Sequence, residues 1–369
     1  MRVLILTCNT GGGHNSAALA LESYFQDVGV RCDIADFLGF GKSVANNIIC
    51  NGHVFIYRHA PKLFEWGYKK AENETHKGEN SFIYKYCATY ADNLYKYLEK
   101  HKYDCIISVH IFASIALDYI KKHIDSNVFA CHVSTDYTCY PEISNTDLDY
   151  YFVAHKALIS EHVKNGINKD KIIPSGIPVR EIFYKNFDSK IEVKRKIDVD
   201  PDKKLIVVAG GSMGCGPIED IAEQLLVRLG DKATIAVICG SNEKTYEALQ
   251  KYDKLYLCGF VTNINQYMRA ADVMLTKAGG LTITEAGASN LPLVFINAVS
   301  GCELYNRDFF TNKGYGLTSF TVEDVVSNTE RMLCDKELYS SIKNQMISDF
   351  EIPAQKIIHQ KISEVIKHA

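Results

Sequence analysis

The sequence predicts an α/β protein built from two doubly wound parallel sheets, one in each half of the chain. Three observations carry that prediction. Short apolar runs of the kind that form buried parallel strands alternate with helical stretches in both halves. Each half opens alike, on a strand, a glycine-rich turn and a helix: Arg2–Thr7 runs into Gly11-Gly12-Gly13, and Lys204–Ala209 into Gly210-Gly211-Ser212-Met213-Gly214. The length of 369 residues exceeds one ordinary domain and suits two of similar size.

Taken in order, Arg2–Thr7 is the first strand, and a helix follows from Asn15 to about Val28. Val30–Ala35 is the next strand, ended by Asp36, and strands at Asp104–Val109, Val128–Val133 and Tyr150–Val153 follow with helices between. From Lys42 to Lys100 the alternation lapses into a helical, aromatic and locally basic stretch. There Phe55, Phe64 and the only tryptophan, Trp66, lie among Arg58, Lys62, Lys69 and Lys70. That mixture suits a segment resting in a membrane interface, and equally a helical hairpin that packs its aromatics on the domain. Ile172–Val179 has the prolines and glycine of a connector. The domains are therefore expected at 1–180 and 181–352, with an amphipathic helix over 353–369 that packs back on the first.

The second half supplies strand Lys204–Ala209, helix Pro217–Leu229 and strand Thr234–Cys239. Strands Lys254–Leu257, Asp272–Leu275 and Leu293–Ile296 follow. Two such domains facing each other create a cleft at the carboxyl ends of their strands, where function is expected.

Composition excludes several classes. Hydrophobic content of 47% with 23% charged residues is that of a globular chain, and a net charge of −3 does not suit a nucleic-acid binder. The 12 cysteines are scattered singly without a Cys-x-x-Cys pair, as free thiols in a reducing cytosol would be. The opening apolar run is too short for a signal peptide, and no run is long enough to span a membrane. A soluble protein, or one attached to a membrane from one side, is expected.

The chemistry gathers at strand ends. In Thr276-Lys277-Ala278-Gly279-Gly280-Leu281-Thr282-Ile283-Thr284-Glu285, paired glycines precede a helix whose free N–H groups suit a diphosphate. Glu285, about one turn in, suits a ribose diol. The plainer alternative is a capped helix of the fold. Gly210–Gly214 is a second anion-compatible turn, followed by Pro217 in a favoured first-turn position. His14 follows the three glycines, placed as a general base or as a cap or phosphate contact. Asp136, after Val128–Val133, either orients a protonated base or caps a turn. No P-loop, dinucleotide fingerprint, nucleophile elbow or metal-ligand cluster is present, so neither metal nor cofactor is expected.

The order of these motifs resembles the lipid glycosyltransferases typified by monogalactosyldiacylglycerol synthases and processive diacylglycerol glucosyltransferases. The resemblance covers most of the chain. It rests on Gly11–Ala18, Ser134-Thr135-Asp136-Tyr137, Ser175-Gly176-Ile177-Pro178-Val179, Gly210–Gly214 and Thr276–Ala286. It implies a glycosyltransferase family 28-like, GT-B arrangement of two facing Rossmann-like domains with the active-site cleft between them. The implied reaction is inverting, metal-independent transfer of a hexose from a UDP-sugar to diacylglycerol. The implied location is cytoplasmic, peripherally attached to the inner face of the cell membrane, with no nucleic-acid partner.

Carried over by position, the resemblance makes His14 the base and Asp136 an assisting acid, with Gly12 and Gly13 on the acceptor side. Gly211, Ser212, Met213, Gly214, Gly279, Gly280, Leu281 and Thr282 hold the diphosphate, with Lys277 also on the donor side. Glu285 takes the ribose hydroxyls and the backbone at Phe260 and Val261 the uracil. Phe55–Lys70 becomes the favoured membrane contact.

Two departures fall where sugar and acceptor are selected. Many relatives carry Pro-Gly-Gln where this chain has Ser300-Gly301-Cys302-Glu303, so Glu303 or Asn306 is expected to replace the missing amide. Relatives often carry His and Trp after Asp136, where this chain has Tyr137-Thr138-Cys139-Tyr140-Pro141-Glu142. The alternatives are a transferase with a soluble acceptor, a sugar-nucleotide epimerase or hydrolase, and a nucleotide-sugar-binding sensor.

Overall fold

The computed structural model of the chain describes residues 1–9, 12–41, 78–185, 188–296 and 301–368. It divides into two compact units. One comprises Met1–Arg180 with Ser300–Cys302 and Ile352–Ala369, the other Glu181–Val299 with Glu303–Glu351.

The first unit is a parallel sheet of β1 (Arg2–Thr7), β2 (Arg31–Asp36), β3 (Cys105–Ser108), β4 (Ala130–Val133), β5 (Tyr150–Val153) and β6 (Ile172–Pro174). The strand order is β2-β1-β3-β4-β5-β6. Val3 lies opposite both Cys32 and Cys105, so β1 is flanked on both edges, and Val3 to Leu6 are fully buried. A strand covered on both faces has no polar side to show, which is why these runs are continuously apolar. The core continues through Ile106, Leu117, Leu148 and Val153.

The helix after β1 spans Gly12–Asp27, so Gly12 and Gly13 stand in its first turn. Ile172–Pro174, expected as a connector, forms the edge strand β6. Pro174 ends it opposite Val153, where a missing N–H removes no ladder bond. The helix Ala354–His368 packs against Gly12–Asp27: His359 sits edge-on to Tyr24 and Phe25, and Gln355 Nε2 donates to Val179 O at 3.0 Å.

The second unit is a parallel sheet of β7 (Lys204–Ala209), β8 (Ala233–Ile238), β9 (Leu255–Cys258), β10 (Val273–Thr276), β11 (Leu293–Phe295) and β12 (Gly316–Thr318). Its order is β12-β11-β10-β7-β8-β9. β7 lies between β8 and β10, and its residues Leu205–Ala209 are buried. The short β12 carries no strand signal in the sequence. It forms by pairing with β11, Leu293 against Gly316. A buried Asp272 just before β10 accepts the Leu205 N–H and is ringed by Lys190, Lys194 and Lys204. Against the cost of burial, Lys190, the Leu205 N–H and Lys204 hold its carboxyl below the ordinary range.

Candidate active site

In an open parallel sheet the crevice forms where the strand order reverses, because the connections leave on opposite sides there. The first unit reverses between β1 and β3, the second between β7 and β10. The glycine-rich turns singled out in the sequence follow β1, β7 and β10, at these two places.

At the first reversal, His14 stands in the opening turn of Gly12–Asp27 and reaches across to the end of β3. Its Nδ1–H donates to Val109 O at 2.8 Å, and Thr135 Oγ1 lies 3.2 Å from the same nitrogen. A carbonyl accepts only, so the Nδ1 proton is fixed and the neutral ring carries its lone pair on Nε2. Burial pushes the imidazole below its ordinary pKa. The Asp136 carboxylate and the Val109 carbonyl pull the other way without winning. The His14 imidazole is thus neutral at neutral pH.

A chain of hydrogen bonds seats the helix start. Thr7 Oγ1 donates to Asn15 Oδ1, Asn15 Nδ2 to Asn9 Oδ1, and Asn9 Nδ2 to Asp36 Oδ2, at 2.7, 2.7 and 2.8 Å. Asp136 is buried and accepts from Tyr140 Oη at 2.5 Å. Glu161 Oε1 accepts from Thr138 Oγ1 and Cys139 N, tying that loop to the helix Ile159–Lys164. Glu142 is buried with a left-handed backbone (φ 72°), and its carboxylate accepts from Ser81 Oγ and Asn145 Nδ2. It braces the loop, whereas Tyr140 bonds directly to Asp136. Gly12 is exposed and Gly13 half-buried. Phe55, Arg58, Lys62, Phe64, Trp66, Lys69 and Lys70 lie outside the described residues.

At the second reversal, the turn after β7 closes on itself through Gly214 N to Gly211 O and Cys215 N to Gly210 O. The turn after β10 ends at Gly279, the N-cap of the helix Gly280–Ala288, which has no side-chain cap bond and no acidic residue in its first turn. Lys277 passes over Gly211, where an added Cβ would sit 2.8 Å from its Cε, and its Nζ donates to Glu303 Oε1 at 2.6 Å. That carboxylate oxygen lies 4.0 Å from where a Cβ of Gly279 would be. Gly211, Lys277, Gly279 and Glu303 are therefore neighbours, with an ammonium and the positive end of a helix together.

The other expected donor residues are more dispersed. Ser212 is exposed and Met213 half-buried; Ser212 O accepts from Ser241 N. Leu281 is buried, Thr282 half-buried, and Glu285 stands half-buried farther along the same helix. Phe260 and Val261 follow β9, two strands from β7, with Phe260 67% exposed. Gly301 adopts φ 95° and Cys302 begins the helix Cys302–Asn312.

Asn306 is fully buried, and its Nδ2 donates to Ala278 O at 3.0 Å in the turn after β10. Val109 and His110, beside His14, carry no signal in the sequence, and neither does the contact of Thr135 with it; the strand order alone brings them there.

Among the described residues no group of three or more His, Cys, Asp or Glu is arranged to hold a metal, and no helix is long and apolar enough to cross a membrane.

Comparison with known proteins agrees with this geometry. The family model described as monogalactosyldiacylglycerol (MGDG) synthase matches residues 14–179, and the glycosyltransferase family 28 C-terminal domain matches residues 205–359. A processive diacylglycerol beta-glucosyltransferase of Bacillus mycoides (strain KBAB4) is 28% identical over 371 residues, covering 98% of this chain and 94% of the relative. That of Staphylococcus carnosus (strain TM300) is 26% identical over 351 residues, covering 94% and 88%. Among solved structures, Acinetobacter baumannii MurG matches with a TM-score of 0.61 at 13% identity, over 98% of this chain and 99% of that one. The UDP-GlcNAc 2-epimerase from Neisseria meningitidis, bound to UDP-GlcNAc, matches at 0.63 and 15%, over 99% and 100%. At such identities the likeness shows the fold, which is GT-B.

Proposed function

The chain belongs to the lipid glycosyltransferase family of the monogalactosyldiacylglycerol synthases and processive diacylglycerol glucosyltransferases, and from that premise we propose its reaction. It moves a hexose from a UDP-sugar to the hydroxyl of diacylglycerol, with inversion and without a metal ion, at the cytoplasmic face of a membrane. The observation that carries this reading is His14, whose Nδ1 is committed to Val109 O so that Nε2 accepts a proton.

In the proposed step, the acceptor hydroxyl gives its proton to His14 Nε2 as its oxygen bonds to the anomeric carbon. The bond from that carbon to the diphosphate breaks, and UDP departs with the electron pair. One displacement inverts the centre. The charge that develops on UDP meets the N–H groups at the start of Gly280–Ala288 and the Lys277 ammonium, the elements that support metal independence. Glu285 takes the ribose diol. Asp136 stabilises the imidazolium, as its pull on the His14 pKa supports. Glucose is the first hexose to test, since the relatives are named glucosyltransferases.

The test is His14→Ala with UDP-hexoses and diacylglycerol liposomes, products identified by mass spectrometry. Transfer is expected to fall by about 100-fold or more while UDP binding by calorimetry persists. Full turnover in the variant refutes the base assignment. Epimerisation or hydrolysis of the UDP-sugar without acceptor, at the rate of transfer, refutes the transferase reading.

A further inference from the structure

His14 is gripped at Nδ1 alone, by Val109 O and Thr135 Oγ1, and contacts at one nitrogen leave a ring free to rock about it. The next residue along from Val109 packs against that ring. His110 has an extended backbone and caps the helix Ile111–His123, its Nδ1 accepting from Phe112 N at 3.2 Å. Ser108 Oγ donates to the His110 carbonyl at 2.6 Å. An Nδ1 that accepts carries no proton, so neutral His110 holds its hydrogen on Nε2. The residue is 8% exposed, and its ring is wedged edge-on against His14 (centroids 4.5 Å, 71°) and against Phe112 (4.7 Å, 70°).

We propose that His110 is a positioning residue for proton transfer: locked as a helix cap, it walls one face of the His14 ring, excludes water there and keeps Nε2 aimed at the acceptor hydroxyl. This rests on the reading of His14 as the base. Proton transfer demands such a wall, because a shift of about 1 Å in a reacting group costs about 100-fold in rate. Among the described residues, the other titratable groups that act on His14 or feel its charge are Asp136, held by Tyr140, and His132 on β4. Asp136 is the only one of them that favours the imidazolium.

Two variants separate the cap from the wall. His110→Asn keeps an accepting oxygen for Phe112 N and removes the ring; His110→Phe keeps the ring and removes the acceptor. For His110→Asn the melting temperature is expected to stay near wild type, with kcat down about 10- to 100-fold and KM for the UDP-sugar unchanged. The acid limb of its kcat/KM profile should move to higher pH, since water admitted beside His14 relieves the burial that depresses its pKa. His110→Phe should melt lower yet keep the wild-type limb.

Wild-type kcat with an unmoved acid limb in His110→Asn overturns the proposal, as does a loss of kcat that only follows a lower melting temperature. Wild-type turnover in His14→Ala overturns the reading beneath it instead, so the two failures are distinguishable.

Discussion

Gly211 and Gly214 share one turn, and replacing each with alanine separates binding from folding. Both have left-handed backbones, φ 75° and 58°, so each alanine costs about 1–2 kcal/mol. The neighbours then differ. A Cβ on Gly211 would sit 2.8 Å from Lys277 Cε, the far part of a flexible chain that can swing aside. A Cβ on Gly214 would sit 2.1 Å from Cys239 O, which also accepts from Asn242 N while Asn242 Nδ2 donates to Gly214 O. That main chain cannot yield without breaking both bonds, which adds about 1–3 kcal/mol of overpacking.

Gly211→Ala should thus lower the melting temperature by about 2–8 °C and Gly214→Ala by about 4–20 °C, at about 2–4 °C per kcal/mol for a unit of this size. On the proposed donor reading, the Lys277 displaced in Gly211→Ala no longer meets the diphosphate. Losing one charge-assisted contact of about 1.5–3 kcal/mol weakens UDP about 10- to 100-fold. Differential scanning fluorimetry and calorimetry with UDP read the two effects. Wild-type UDP affinity in Gly211→Ala, or equal stability of the two variants, refutes the reasoning.

His132 is buried on β4, with Ser114 Oγ 2.9 Å from its Nδ1, and burial brings its pKa down to about 3. Its folded pKa is below the unfolded one, so the unfolded chain binds the proton first. Stability is then lost as pH falls from about 6.5 toward 3, at about 1.4 kcal/mol per unit, or about 2 kcal/mol by pH 5. His132→Asn should flatten that slope in urea unfolding at pH 7 and 5. An unchanged slope discards the assignment. For Glu285→Ala, a UDP affinity reduced about 10-fold is expected in calorimetry, and an unchanged affinity removes Glu285 from the ribose.

How much of this was legible in the sequence follows from how local each signal is. β1, β5 and β7 were readable to the residue, since a strand buried on both faces is an unbroken apolar run ended by a turn. β6 and β12 were not: three residues show no period, and pairing with a single neighbour decides them. The glycine turns were legible because a chain that must bend sharply before a helix can do so with few residue types. The partners of those turns were hidden. Val109 lies 95 residues from His14 and Glu303 lies 26 from Lys277, and only the strand order brings either pair together. Asn306 shows the converse. Its type suits a sugar contact, but its burial and its bond to Ala278 O are set by residues distant in the chain and are not encoded by its neighbours in sequence.

The two reversal points also show how the same local grammar can suit the two different demands of the proposed reaction. In the first unit the order β2-β1-β3 sets the end of β3 beside the helix after β1, and an imidazole bridges the gap to a carbonyl. A base needs that bridge, because a ring whose tautomer is not fixed offers the lone pair only part of the time. In the second unit the order β10-β7-β8 sets two glycine turns side by side, and the side chain crossing between them is the lysine that runs over Gly211 to Glu303. An anion needs the opposite of a bridge: close approach to backbone N–H groups, with a positive charge that can move to meet it.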